Sequence, residues 1–156
     1  MFTTPAQPEL TLIARIALRL DAPLDIGVTP AGRRRILAIS GGAVSGGRLR
    51  GEVLSGGSDW QTMREDKTVL MDARYTIRTF DGALISVLEK GIRHGPPEVL
   101  ARVAAGEAVD PSAYYFRTSP RFETGDARYG WLNNAVAICS GVRAGDSVML
   151  DCYLVE

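Results

Sequence analysis

Apolar and polar residues alternate along most of this chain with a period of two, the spacing at which a β-strand shows successive side chains to opposite faces. The run Leu10-Thr11-Leu12-Ile13-Ala14-Arg15-Ile16-Ala17-Leu18 predicts a first strand, and Arg33 to Ile39 predicts a second that ends at Gly41-Gly42. Short strands are expected over 49–54 and 59–63, with Gly56-Gly57 marking a tight turn or bulge between them. Residues 69–78 alternate cleanly, Asp81-Gly82 is a strong hairpin signal, and residues 83–88 return. Two more strands are expected over 135–140 and 147–155, joined by a turn near Ala144-Gly145-Asp146.

One segment breaks the period. Residues 96–106 open on Pro96-Pro97-Glu98 and close on Gly106, the asymmetry of helix ends, and Val99, Leu100 and Val103 share one helical face. Asp21-Ala22-Pro23 and Val28-Thr29-Pro30-Ala31-Gly32 read as turns. Together these elements predict a mainly β fold: an antiparallel β-barrel of about eight to nine strands with one short helix, closed so that no edge is left open. A β-sandwich is the runner-up. The chain is expected to form a single β-barrel domain over residues 1–156.

Composition narrows the function classes. Lys and Arg number 18, Asp and Glu number 18, and the signs are interspersed. A nucleic-acid binder usually gathers a basic excess on one face, so no nucleic-acid partner is expected. No apolar run approaches the length of a bilayer span and the first residues lack a signal-peptide pattern, so no membrane partner and a cytoplasmic location are expected. Cys139 and Cys152 lie in strand-like stretches without metal-ligand spacing. They read as small buried apolar residues, able to pair only if their strands are neighbours, and neither cofactor nor metal is expected.

Three stretches carry candidate chemistry. Tyr114-Tyr115-Phe116-Arg117-Thr118-Ser119-Pro120-Arg121-Phe122-Glu123-Thr124 combines aromatic walls with two arginines able to hold a planar anion through paired N–H bonds. The alternative there is an internal Arg–Glu pair that pins a long connection; Pro120 is expected to reset the register, leaving Arg121 and Glu123 unplaced. Asp59-Trp60 sets a carboxylate beside a large aromatic, an arrangement that raises a carboxyl pKa and suits proton transfer, or else an Asp that caps a turn. Tyr129-Gly130-Trp131-Leu132-Asn133-Asn134 offers an aromatic wall with an amide. In the strand over 70–78, Asp72, Arg74, Thr76 and Arg78 share a face, solvent-facing or lining a site. His94, the only histidine, reads as a loop residue, and the glycine-rich stretch 41–47 lacks the Lys-Ser/Thr of a phosphate-binding loop.

Several of these segments, in this order, resemble the domain of unknown function 3237 family, also called uncharacterised protein family 0311. They are Gly51-Glu52-Val53-Leu54, Gly56-Gly57-Ser58-Asp59-Trp60, Leu70-Met71-Asp72-Ala73-Arg74-Tyr75, Tyr115-Phe116-Arg117-Thr118, Pro120-Arg121-Phe122-Glu123-Thr124 and Trp131-Leu132-Asn133. The resemblance implies a compact, self-associating β-barrel, similar in general shape to lipocalin, allene oxide cyclase and dirigent barrels, and brings no established reaction. Its recurring polar positions fall on Asp59, Arg74, Tyr115, Arg117, Arg121, Glu123 and Asn133.

The leading expectation is a barrel that binds a small anionic or oxygenated metabolite and carries out cofactor-free acid/base chemistry of isomerase, cyclase or lyase type. Asp59 or Glu123 would transfer the proton, with Trp60, Arg74, Tyr115, Arg117, Arg121, Trp131 and Asn133 binding the ligand. The alternative is a non-catalytic binding or assembly protein with structural Arg–carboxylate pairs. A homo-oligomer fits either, through the glycine-rich edges near Gly41 to Gly57.

Overall fold

The computed structural model describes residues 1–156, and ten strands follow one another antiparallel around a barrel. They are β1 (Leu10–Leu20), β2 (Leu24–Thr29), β3 (Gly32–Ser45), β4 (Gly51–Val53), β5 (Gly57–Met63), β6 (Val69–Thr79), β7 (Leu84–His94), β8 (Tyr115–Glu123), β9 (Val136–Ala144) and β10 (Ser147–Val155). The order is β1-β10-β9-β8-β7-β6-β4-β3, and β1 pairs back onto β3. β4 and β5 lie end to end along β6, opposite Thr79–Ile77 and Arg74–Val69, so they make one interrupted stave of an eight-stave barrel. β2 is a hairpin arm on the outer end of β3. No helix is long and apolar enough to cross a membrane.

The alternation read from the sequence is the wall of this barrel. Along β6, Val69, Met71, Ala73, Tyr75, Ile77 and Thr79 are buried and face inward, while Asp72, Arg74 and Arg78 are exposed. Inward residues of all staves join one core cluster that includes Ile13, Ile16, Leu37, Ile39, Val53, Ile77, Ile85, Val87, Phe116 and Leu150. The expected helix is α1 (Pro97–Ala104), with Pro at its first positions, Glu98 in its first turn and Leu100 and Val103 buried.

Five expectations change. The second strand does not end at Gly41-Gly42; β3 runs through them to Ser45, because these glycines let β1 and β3 approach closely. A Cβ at Gly42 would lie 2.0 Å from the Ala17 carbonyl oxygen. Gly41, Gly42, Gly51 and Gly57 are therefore paired within the barrel, and it is β2 that has a partner on one side alone. Val28 and Thr29 belong to that strand rather than to a turn. β7 continues past Leu88 to His94, so His94 lies at a strand end, where Nδ1 is 2.8 Å from the Thr68 hydroxyl. Finally, Pro120 does not reset the register: β8 alternates straight through it, paired with Glu89 of β7.

The two ends of the barrel differ. β6 begins, and β7 ends, at one end, which α1 covers on its way to β8. The other end is closed by a 3-10 segment, Ala127–Asn134, that buries Tyr129 and Leu132.

Candidate functional site

Strand register stacks the inward side chains of the covered end in levels. The deepest runs Asp59 (β5), Ala73 (β6), Glu89 (β7). Above it lie Arg35 (β3), Gln61, Met71, Gly91, Thr118, Cys139 and Cys152. At the rim stand Met63, Val69, Arg93 and Phe116. Ala73 and Gly91 are small, and they leave a cavity of about 30 Å³ among Asp59, Gln61, Glu89, Arg93, Thr118 and apolar residues including Leu18, Leu20, Val148 and Leu150. That is room for a water or two. It adjoins, across Arg93, a cleft of about 310 Å³ between the rim and α1, lined by Arg35, Met63, Lys67, Val69, Pro97, Leu100, Ala101 and Ala104. The cleft is of the size that holds a small ligand.

Two carboxyl groups face this interior. Asp59 accepts from the Asp72 backbone N–H at 3.1 Å and from the Gln61 amide at 2.7 Å, and Gln61 in turn accepts from Arg35 Nε at 2.7 Å. A hydrogen-bonded chain thus runs from the mouth to Asp59. Burial raises the Asp59 pKa, opposed by those two hydrogen bonds and by Arg93 and Arg35. Glu89 is 3% exposed. Its oxygens accept from the Tyr75 hydroxyl at 2.7 Å and from the Thr118 hydroxyl. Burial raises its pKa, against the pull of those hydroxyls, and raises that of Tyr75 as well. Adjacent strands lie about 4.8 Å apart, so Asp59 and Glu89 flank Ala73 with backbones roughly 10 Å from each other. Two buried carboxyl groups, one near guanidiniums and one among hydroxyls, can take and give protons on opposite sides of a small bound group.

Three arginines face the same end. Arg93 is buried, and burial with the nearby Arg143 and Arg35 pulls its pKa down to about 10, still a cation at neutral pH. Arg35 and Arg143 are half-buried and shifted downward, chiefly by burial. Tyr114 donates nothing to them but accepts the Arg143 backbone N–H at 3.1 Å.

Of the residues singled out by sequence, Asp59 is the one that faces this cavity. Arg74, Arg121, Glu123 and Asn133 come together elsewhere, along a shallow groove on the outer wall of β6, β7 and β8. Trp60, Tyr115 and Arg117 also point outward; Arg117 donates to the Phe116 carbonyl at 2.9 Å, its guanidinium carbon 5.3 Å from the Tyr115 ring centre. Trp131 is half-buried at the far end, beneath Arg48, whose guanidinium carbon is 3.9 Å from the ring centre. Asn133 closes a turn, accepting the Thr124 N–H at 2.8 Å and donating to its carbonyl at 3.0 Å. Arg74 thus shares the outer groove with Glu123 without pairing with it, and Arg117 stands outside that groove and pairs with no carboxylate. Glu89, Arg93, Arg35, Gln61 and Arg143 escaped the sequence reading. Their signal is parity: Ile85, Val87, Glu89 and Arg93 share one face of β7, and Arg35 shares one with Leu37 and Ile39.

Cys139 and Cys152 sit opposite each other on β9 and β10, free and fully buried. A hydrogen bond between the thiols, with burial, pushes Cys139 far above the usual thiol range. No three side chains of metal-binding type converge anywhere.

This barrel has close counterparts. A protein from Rhodopseudomonas palustris, crystallised as a conserved protein of unknown function, superposes with a TM-score of 0.94 at 39% identity, covering 98% of this chain and 100% of the other. A β-barrel-like protein from Acinetobacter baumannii superposes at 0.87 with 39% identity, covering 98% and 99%. In sequence, a UPF0311 protein of Bradyrhizobium diazoefficiens is 43% identical over 140 residues, 90% of this chain and 91% of that one. More distant is the hydroalkoxylation enzyme phnH of Penicillium herquei, 27% identical over 152 residues, 97% of this chain and 87% of its own. A crystallised enzyme from the same fungus shares the fold, with a TM-score of 0.73 at 23% identity over the full length of both chains. The family model described as "Protein of unknown function (DUF3237)" matches residues 8–155, from just before β1 to the last residue of β10, and with relatives of this closeness the chain belongs to the DUF3237 family.

Proposed function

We propose that the covered end of the barrel binds a small anionic or oxygenated metabolite and carries out cofactor-free proton-transfer chemistry of the isomerase, cyclase or lyase type. The observation that carries the reading is the pair of buried carboxyl groups, Asp59 and Glu89, on either side of Ala73 in one cavity. Asp59 stands nearer the arginines, which favour its charged form, and acts as base. Glu89 has hydroxyls rather than arginines as hydrogen-bond partners, burial raises its pKa, and it acts as acid. Such a pair adds a substrate hydroxyl across a carbon–carbon double bond. Asp59 takes the hydroxyl proton as the new C–O bond forms, and the double-bond electrons take a proton from Glu89. The sum is an isomerisation that consumes no oxidant or reductant, and its reverse is an elimination. A relative named as a hydroalkoxylation enzyme at 27% identity supports this reaction class. The reading also supports a cytoplasmic, self-associating protein, which the free edge of β2 suits.

The test is deuterium incorporation in D2O, followed by NMR, over a panel of medium-chain hydroxy-enoic acids and their lactones. The wild type should exchange at least one panel member; Asp59→Asn and Glu89→Gln should each slow that exchange by 10²-fold or more while remaining folded. Undiminished exchange in both variants would sink the assignment.

A further inference from the structure

Five exposed arginines hold carboxylates: Arg15 with Asp151, Arg33 with Asp25, Arg78 with Glu52, Arg102 with Glu107 and Arg128 with Asp81 and Asp126. Those inside the mouth do not. Arg35 donates its Nε to Gln61, and Arg143 its Nε to the Gly145 carbonyl at 2.8 Å. Arg93 is only 4% exposed, yet its guanidinium donates to no acceptor and stands in no ion pair; its carbon is 5.8 Å from the Phe116 ring centre. Arg93 lines both the inner cavity and the cleft, so a ligand in either can reach its guanidinium. Three cations therefore face two carboxyl groups, and of these Glu89 is held by hydroxyls rather than by an arginine. A buried cation without a partner is costly, and proteins keep one where a ligand supplies the missing charge.

The rest of the cleft says what carries that charge. Beside Arg35, Arg93 and Lys67, its walls are apolar: Met63, Val69 and, from α1, Pro97, Leu100, Ala101 and Ala104. We infer that this cleft receives an amphiphilic carboxylic acid, its carboxylate on Arg93 between Arg35 and Arg143 and its apolar body along α1. The inference rests on the acid/base reading above and specifies its substrate: Arg35 and Asp59 are joined through Gln61, so the reacting atoms lie toward the carboxylate end of the ligand. Guanidiniums there also stabilise the negative charge that grows on an acid deprotonated beside its carboxylate. A planar carboxylate suits the two parallel N–H groups of a guanidinium fork.

Octanoate, octanol and octyl phosphate titrated calorimetrically into the full chain test this. Octanoate should bind at least tenfold more tightly than either of the others. Arg93→Met should lose at least tenfold in octanoate affinity and nothing for octanol, and should melt higher than wild type without ligand. Arg143→Met, at a less buried position, should lose several-fold and serves if Arg93→Met fails to fold; Arg15→Met should match wild type. Octanol binding as well as octanoate, octyl phosphate outcompeting it, or a folded Arg93→Met that keeps its affinity would overturn the inference. Asp59→Asn separates the two readings. It should bind octanoate at least as well as wild type while losing deuterium exchange. Exchange that persists in wild type without carboxylate preference leaves the acid/base reading standing and removes this one; carboxylate binding without any exchange does the reverse.

Discussion

A carboxyl group on the inward parity of a strand must be satisfied by whatever its neighbours present at the same level. For Glu89 these are two hydroxyls, Tyr75 on β6 and Thr118 on β8. Both can reverse their direction, so Glu89→Gln keeps the network: the amide oxygen accepts from one hydroxyl and the amide nitrogen donates to the other. The folded state holds the Glu89 proton more tightly than the unfolded chain does. Wild-type stability therefore falls as pH rises from the unfolded carboxyl range, near 4.3, up through the folded value, and is level above it. Glu89→Gln lacks that slope. It should be more stable than wild type at neutral pH, on the order of 1 kcal/mol or a Tm rise of about 3 °C, with the difference vanishing toward pH 4 in thermal melts. Asp59 was legible because a carboxylate beside Trp60 draws attention. Glu89 and Arg93 were not, because the strand was taken to stop at Leu88, which hid two charged residues on an apolar parity.

At the scale of elements, the barrel depends on a seam that sequence reasoning took for a turn. Gly41-Gly42 reads as punctuation, and in most chains a glycine pair is. Here Gly42 faces Val53 on one side and Leu18 on the other, as β3 passes between β4 and β1. A Cβ would stand 2.0 Å from the Ala17 carbonyl oxygen, a backbone atom that cannot swing aside. Gly42→Ala should force β1 and β3 apart and cost about 1–3 kcal/mol. Urea denaturation measures the loss, and amide exchange should rise first in β1; loss without that pattern would place the strain elsewhere. Gly91 is a second case inside the site, since its Cβ would meet the Thr118 Cγ2 at 2.5 Å. Its Cβ would also stand 2.6 Å from the Arg117 carbonyl oxygen, so Gly91→Ala should push Thr118 off Glu89 and part β7 from β8, lowering kcat and Tm together. Strands with strong alternation, such as β6 and β10, were readable from the chain alone. Pro120 misled because proline is rare within ladders, yet β8 pairs with β9 only through Arg117 and Thr118, short of that position.

For the whole molecule, the alternation legible in the sequence decides that a barrel forms, and closure decides which parity becomes interior. That second fact depends on all eight staves at once, which is why Arg74, Tyr115, Arg117, Arg121 and Glu123 read as site residues although they share the outward face. Closure also leaves the two ends with different tasks. The far end is sealed by Leu132 from the 3-10 segment, fully buried in the core cluster, whereas the mouth is covered by an eight-residue helix anchored through Leu100 and Val103. A helix this short has little stability of its own, so α1 can lift while the strands stay paired. Leu132→Ala and Leu100→Ala remove the same atoms and should differ in kind. Leu132→Ala should lower the global unfolding free energy by about 2–5 kcal/mol, with exchange rising throughout the barrel. Leu100→Ala should raise amide exchange over 97–104 while β6 and β7 keep their protection, and octanoate should associate several-fold faster in stopped flow because its entrance opens more often. If exchange over 97–104 instead follows the strands in both variants, α1 is as rigid as the staves, and ligands reach Asp59 and Glu89 without its moving.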